Sequence, residues 1–145
     1  MSKKIWIFLS ILVSGILILF FMEVVSPMVF FRNYICNPVP ESVKNIKYAK
    51  DHGVMRGANI FLFTADSEDI KIIINKCSLH KYSDYKEIPE ATRSIIENRF
   101  TKVAWWPVSQ LRSMSMYGKI LESQYEWTAL FLFINSDGKS YVIKI

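Results

Sequence analysis

The stretch Trp127-Thr-Ala-Leu-Phe-Leu-Phe-Ile-Asn-Ser-Asp-Gly-Lys-Ser-Tyr-Val-Ile-Lys-Ile145 carries the strongest structural signal in the chain. Two runs rich in aromatic and β-branched residues flank Asp137-Gly138, a dipeptide typical of tight hairpin turns because glycine accepts a positive φ. The first run is apolar on both faces, and the second alternates with Tyr141, Ile143 and Ile145 on one face. The pattern predicts a β-hairpin.

Further strands are expected upstream of this hairpin. Residues 58–64 are apolar on both faces in their second half, which indicates a strand that is central in a sheet or covered on both sides. We predict additional strands at 42–50, 101–106 and 114–123, and a polar loop at 78–87.

Two helices are predicted between the strands. Asp66 or Ser67 can cap the first, in which the spacing of Ile70, Ile73, Ile74 and Cys77 forms one apolar stripe. The second starts after Pro89 and covers residues 90–100. The order of elements predicts an α+β fold, with one small antiparallel sheet and one or two helices packed on a face.

Composition limits the class of protein. The chain has 145 residues, of which 51% are hydrophobic, 18 are basic and 13 are acidic. That length suits one folded domain. Abundant aromatic residues exclude a disordered chain, two cysteines exclude a disulfide-dense mini-protein, and a single long apolar run excludes a polytopic transporter.

The apolar run lies at the N-terminus. Residues 5–22 are 18 residues without a charge, and as a helix they would cover about 27 Å, close to one hydrocarbon core. Trp6 and Glu23 are then expected at the two membrane interfaces. Two alternatives are weaker. A cleaved signal peptide normally has a shorter apolar stretch than this one and a small-residue cleavage site, which is missing here. A core helix of a soluble domain normally has a polar face, whereas this run is apolar on all sides.

We therefore divide the chain into three parts. Residues 1–31 are an N-terminal transmembrane helix, that is, a membrane anchor or uncleaved signal; 32–41 are a proline-containing spacer; and 42–145 are the α+β domain. Lys3 and Lys4 precede the apolar run and only Arg32 follows it closely, which favours a cytoplasmic N-terminus. The expected location is the inner (plasma) membrane, with the domain extracytoplasmic.

The charge of the outer part bears on its partners. Without residues 1–32, which hold three basic residues and one acidic one, 15 basic and 12 acidic residues remain, a net charge of +3. This charge is too small and scattered to predict nucleic-acid binding. It supports a mild attraction to anionic headgroups of the lipid bilayer, carried by Lys44, Lys47 and Lys50.

Cys36 and Cys77 are candidates for a disulfide in an oxidising compartment. The bridge would close a loop of about 40 residues and stabilise the fold by about 4 kcal/mol on the chain-entropy model. In the alternative reading, Cys77 is a small core residue and Cys36 is a free thiol.

No complete catalytic or metal-binding constellation is visible. The two histidines are His52 and His80, and the spacing of Cys36 and His52 fits no zinc pattern. Cys77 and His80 could pair as nucleophile and base in a hydrolase or redox protein, but no third residue orients them. We therefore expect no catalysis, no metal and no cofactor.

Aromatic residues are the remaining candidates for an interface. Consecutive tryptophans on a strand point to opposite faces, so one of Trp105 and Trp106 would be core and the other would face solvent, a ligand or a partner. Tyr117 and Tyr125 lie nearby in the sequence and complete the candidate set. In the alternative, the second tryptophan is covered by residues 109–115.

Three motifs carry a resemblance to a known group of proteins. They are Cys36-Asn-Pro-Val-Pro-Glu-Ser-Val-Lys-Asn-Ile46, Thr64-Ala-Asp-Ser-Glu-Asp-Ile70, and the closing Trp127 strand with its Asp-Gly turn. Together they resemble small uncharacterised bacterial envelope proteins, over about residues 36–145. Many of these are lipoproteins, but Cys36 lacks the small preceding residues that lipidation needs. The resemblance implies an envelope location, and no activity carries over from it.

The sequence thus predicts a single-pass membrane protein whose outer domain binds a protein or envelope component. One alternative is an anchored or secreted hydrolase or redox protein that uses Cys77 and His80. Another is an inhibitor or immunity-type protein that guards its own membrane.

Overall fold

A computed structural model describes residues 11–15, 26–51, 57–122 and 127–145. Within these ranges the chain forms three longer helices and six strands. The helices are α1 (Pro27–Tyr34), α2 (Ser67–Lys76) and α3 (Glu90–Asn98). The strands are β1 (Lys44–Lys50), β2 (Asn59–Thr64), β3 (His80–Tyr82), β4 (Ser115–Glu122), β5 (Trp127–Ile134) and β6 (Lys139–Lys144).

All six strands belong to one antiparallel sheet with the order β1-β2-β6-β5-β4-β3. The predicted hairpin is confirmed as β5 and β6, with Phe131 opposite Ile143 and Phe133 opposite Tyr141. Gly138 has a φ of 81° in the turn, a conformation that glycine adopts without strain. The predicted α+β class with an antiparallel sheet is therefore confirmed.

Side chains alternate between two covered faces of the sheet. The tryptophan face, named after Trp106, is covered by α3 and residues 100–114. The cysteine face, named after Cys36 and Cys77, is covered by α1 and α2. Helices thus pack on both faces and not on one as predicted. The reason is that β2 and β5 are apolar on both sides, and each apolar face has to be buried.

The folded core begins earlier in the chain than the predicted boundary at residue 42. Ser26 caps α1 by accepting a hydrogen bond from Met28 N–H, and Pro27 occupies the first turn, which are typical helix-start features. Phe31 is fully buried, and Ile35 and Cys36 pack in the same cluster on the cysteine face. Residues 27–36, predicted as the end of the anchor and part of the spacer, therefore contribute buried side chains to the cysteine face of the sheet.

The predicted anchor falls mostly on residues that are not described. Residues 11–15 are helical and exposed, while Trp6 and Glu23 lie outside the described residues. In the part of the chain that is described, no helix has the length and apolar character needed to cross a bilayer.

Two local predictions differ from the structure. The predicted strand at 101–106 is wrong, because this segment forms turns in which Trp106 N–H donates to the carbonyl of Val103. The predicted loop at 78–87 contains edge strand β3 and a 3-10 turn, Tyr85–Glu87. Strand β3 has only three residues, so it offers too little alternation to be recognised from sequence.

Gly118 allows a close approach between two central strands. It lies opposite Phe131 in the β4–β5 pairing, and an added Cβ would overlap the Phe131 ring and stand 3.2 Å from the Leu130 carbonyl oxygen. We expect Gly118→Ala to lower the free energy of unfolding by about 1–3 kcal/mol, because the ring has no free space to enter. Urea unfolding followed by tryptophan fluorescence measures the change.

Ser115→Ala is the control for this substitution. Ser115 lies on the same strand with an exposed side chain, so its replacement should change stability by less than about 0.5 kcal/mol. An unchanged midpoint for Gly118→Ala would contradict the packing described here.

Candidate ligand groove

A surface cavity with a volume of about 800 Å³ lies on the tryptophan face. We call it the tryptophan groove. Leu62 of β2 and Tyr141 of β6 contribute to its floor, and the turn segment that contains Trp105 forms its wall. The lining residues are Lys47, Leu62, Thr101, Ala104, Trp105, Trp106, Pro107, Val108, Ser109, Gln110, Lys139 and Tyr141.

The two tryptophans have different surroundings. Trp106 is 5% exposed, its indole N–H donates to the carbonyl of Ile96 at 3.1 Å, and its ring packs edge-on against Phe133 and Tyr141. Trp105 is half-buried and lines the groove. Trp106 is therefore a core residue, and Trp105 is the tryptophan that a ligand can touch.

Charged groups lie at the rim of the tryptophan groove. Lys47 is exposed on β1 and lies opposite Leu62 in the strand pairing. Lys139 Nζ is 2.9 Å from Asp137 Oδ2, and this contact raises the pKa of Lys139 and lowers that of Asp137. An aromatic and apolar floor beside exposed ammonium groups suits a ligand that combines an apolar part with an anionic group.

Tyr117 lies in a second, smaller groove on the cysteine face. This groove has a volume of about 380 Å³ and runs between α2 and the β5–β6 turn. Its apolar lining includes Ile70, Ile74 and Ile134. The structure thus does not bring the predicted interface residues together, because Trp105 and Tyr117 serve opposite faces of the sheet. Tyr125 lies outside the described residues.

Cys77 and His80 are also separated by the sheet. Cys77 packs on the cysteine face, whereas His80 is exposed on β3. Alternate strand residues share a face, so His80 is on the side of Tyr82, which packs against the tryptophan face. Burial raises the pKa of the Cys77 thiol, the opposite of what a thiolate nucleophile needs. This geometry does not favour the hydrolase or redox alternative.

Among the described residues, no group of three or more His, Cys, Asp and Glu side chains could hold a metal ion. His52, considered above with Cys36 as a metal ligand, lies outside the described residues.

The two cysteines lie close together on the cysteine face and are both free thiols. Cys36 is 3% exposed and Cys77 is 6% exposed. Cys77 Sγ donates to the carbonyl of Ile35 at 3.2 Å, and Ile35 directly precedes Cys36. The Cys36–Cys77 disulfide remains a prediction, and the approach of the two chain segments is compatible with it.

Lys47, Leu62, Lys139 and Tyr141 were not predicted as site residues. They meet because β2 pairs with β6, which places Leu62 opposite Tyr141, and because Lys47 lies opposite Leu62. Alternation along each strand indicates which residues share a face, but the β2–β6 pairing is a long-range contact that no local pattern reveals.

Comparison of the chain with protein-family models, with curated proteins and with solved structures gives no match.

Proposed function

We propose that this chain is a single-pass membrane protein whose outer domain binds an envelope component in the tryptophan groove and performs no chemistry of its own. The charge-free run of residues 5–22 supports the tether, and Lys3 and Lys4 before it support a cytoplasmic N-terminus. Helix α1 begins at Pro27 and already packs on the domain, so the tether leads directly into the fold.

The observation that carries the binding proposal is the half-buried Trp105 beside an open cavity of about 800 Å³. Tryptophan supplies a large contact area with few rotatable bonds, and it is enriched at the energetic centres of interfaces. Its neighbour Trp106 is fixed by a hydrogen bond to Ile96. The wall of the groove is therefore preorganised, which reduces the entropy lost on binding.

A photo-crosslinking experiment tests this proposal on the full chain in its own cells. A photoreactive amino acid replaces Gln110, an exposed residue of the groove lining. We expect an adduct whose yield falls at least tenfold with Trp105→Ala, since loss of an anchoring tryptophan typically costs 2 kcal/mol or more, roughly thirtyfold in affinity. Mass spectrometry identifies the adduct.

Three controls accompany the experiment. Trp105→Phe should give an adduct yield between that of the wild-type chain and that of Trp105→Ala, because it keeps an aromatic ring in the groove. The same photoreactive residue at Lys86, an exposed site outside the groove lining, should give no such adduct. Alkaline extraction and a C-terminal reporter test the tether and its orientation. An adduct that is independent of Trp105, or equally formed at Lys86, would overturn the binding proposal.

A further inference from the structure

The tether enters the domain next to one edge of the sheet. The ring of Phe30 in α1 stacks on Tyr48 of edge strand β1, with centroids 4.4 Å apart and an interplanar angle of 14°. Pro27, where α1 begins, is one helical turn from Phe30, about 5 Å along the axis. The chain that arrives from the N-terminus therefore meets the domain at β1.

The connection between this entry point and the proposed membrane span is short. Only residues 23–26 separate the charge-free run from Pro27, and four residues reach about 14 Å at full extension. If the chain is tethered as proposed above, Pro27 is held within this distance of the end of the span, and the contact of α1 with β1 lies about one helical turn farther on. Full extension is an upper limit, so the connection also allows β1 to come within the Debye length of about 8 Å, where its exposed charges would interact with the headgroups.

Strand β1 carries the matching charge. Its sequence, Lys-Asn-Ile-Lys-Tyr-Ala-Lys, contains no acidic residue, and Lys44, Lys47 and Lys50 are all exposed. Lys44 begins the strand close to an acidic segment, because the backbone N–H of Ser42 donates to Asp69 Oδ2 at 2.9 Å. Among the described residues, Lys47 and Lys50 form no ion pair, and Asp51, which follows Lys50, is paired with Arg99. These two lysines therefore present positive charge along β1.

Lys47 also belongs to the tryptophan groove. Neighbouring strand residues point to opposite faces, so Lys47 lies on the tryptophan face, whereas Tyr48, on which α1 rests, lies on the cysteine face of the same edge strand. Lys47 shares the groove lining with Trp105. Tryptophan prefers the interfacial zone of a bilayer, and lysine binds lipid phosphates. The groove therefore places an interfacial ring and a phosphate-binding ammonium group at the membrane-proximal edge of the domain.

From this arrangement we infer that the tryptophan groove binds the headgroup of an anionic phospholipid from the membrane that holds the tether. The inference rests on the proposed function and specifies its ligand class. Lys47 contacts the phosphate, Lys50 adds attraction along β1, and Trp105 lies against the glycerol and upper acyl region. The domain is then held on the membrane with β1 facing the lipid.

The test uses the full chain in nanodiscs of phosphatidylcholine, with or without phosphatidylglycerol that carries brominated acyl chains. Trp6→Phe removes the tryptophan of the proposed span. For each variant, bromine quenching of tryptophan fluorescence is measured with and without the additional substitution Trp105→Phe. The difference between the two values is the quenching of Trp105. We expect quenching of Trp105 by brominated phosphatidylglycerol, much less quenching by equally brominated phosphatidylcholine, and loss of the effect in high salt.

Lysine variants locate the contact. Lys47→Gln and Lys50→Gln should each raise the fraction of phosphatidylglycerol needed for half-maximal quenching by roughly fivefold, as expected for one lysine near a charged surface. Lys81→Gln is the matched control, because Lys81 is exposed on β3 at the opposite edge of the sheet. Five strand spacings, roughly 24 Å, separate the two edges.

The possible outcomes distinguish failure of the phospholipid inference from failure of the proposed function. Equal quenching by both brominated lipids, or equal effects of Lys47→Gln and Lys81→Gln, would overturn the phospholipid inference. A Trp105-dependent adduct at Gln110 that is a protein would overturn it too, while the groove would remain a binding site. Failure of the chain to remain in alkali-extracted membranes would instead overturn the tether, and with it the membrane-facing orientation.

Discussion

Replacing Phe31 with alanine is expected to lower the free energy of unfolding by about 3–5 kcal/mol, the usual cost of removing a buried phenylalanine ring. Phe31 is fully buried, and its ring packs edge-on against Phe63 at 4.9 Å and Phe61 at 5.8 Å between centroids. Its loss would leave a cavity between α1 and the sheet. Urea unfolding of the full chain, followed by tryptophan fluorescence, measures the effect.

Met28→Ala provides a matched control on the same helix. Met28 is 42% exposed, so this substitution should change the free energy of unfolding by less than about 0.5 kcal/mol. Equal effects of the two substitutions would mean that α1 is not part of the core. The domain would then begin near residue 42, as the sequence pattern alone indicated.

Elements with strong local signals were predictable. The β5–β6 hairpin follows from a turn dipeptide between two apolar runs, and α2 follows from a cap and a stripe. Asp66 caps α2 by accepting from Asp69 N–H at 2.8 Å, and Ile70 and Ile73 face the core. These features involve residues only a few positions apart, so the sequence displays them directly.

Helix α1 was not predicted because its apolar composition fits two different structures. An apolar segment that continues a membrane span and one that packs on a sheet look alike over eight residues. What decides between them is the contact of Phe31 with Phe61 and Phe63, about 30 positions away along the chain. No local pattern reveals this contact, although Ser26 and Pro27, which the prediction did not use as a signal, form a typical helix start.

The different environments of Trp105 and Trp106 were expected for a reason that the structure does not support. Strand alternation was expected to separate them, yet residues 101–106 form turns. The turn N–H of Trp106 bonds to Val103, and the indole N–H reaches Ile96 of α3. Trp106 is buried because its indole packs in the core, and Trp105 lines the groove. Alternation along a strand is not the cause of this difference.

Oxidation of Cys36 and Cys77 to a disulfide is expected to raise the free energy of unfolding by about 4 kcal/mol, because the bridge would restrict a loop of about 40 residues in the unfolded chain. The two thiols lose two protons and two electrons to a disulfide oxidant such as oxidised glutathione. Unfolding in urea, with the chain oxidised or kept reduced, measures the difference. Non-reducing electrophoresis confirms the bond.

Cys36→Ser is the control, because it leaves Cys77 without a bonding partner. Its stability should be the same under oxidising and reducing conditions, and any cost of the hydroxyl group appears equally in both. A similar redox response of the wild-type chain and Cys36→Ser would contradict the disulfide. So would an oxidised wild-type chain that is no more stable than the reduced one.

The pH dependence of bond formation supplies a second measurement. Burial raises the pKa of both Cys36 and Cys77, so less of each thiol is in the reactive thiolate form at neutral pH than for an exposed cysteine. Raising the pH towards these pKa values should therefore accelerate oxidation of the folded chain. A rate that does not rise above neutral pH would contradict the raised pKa values of the two thiols.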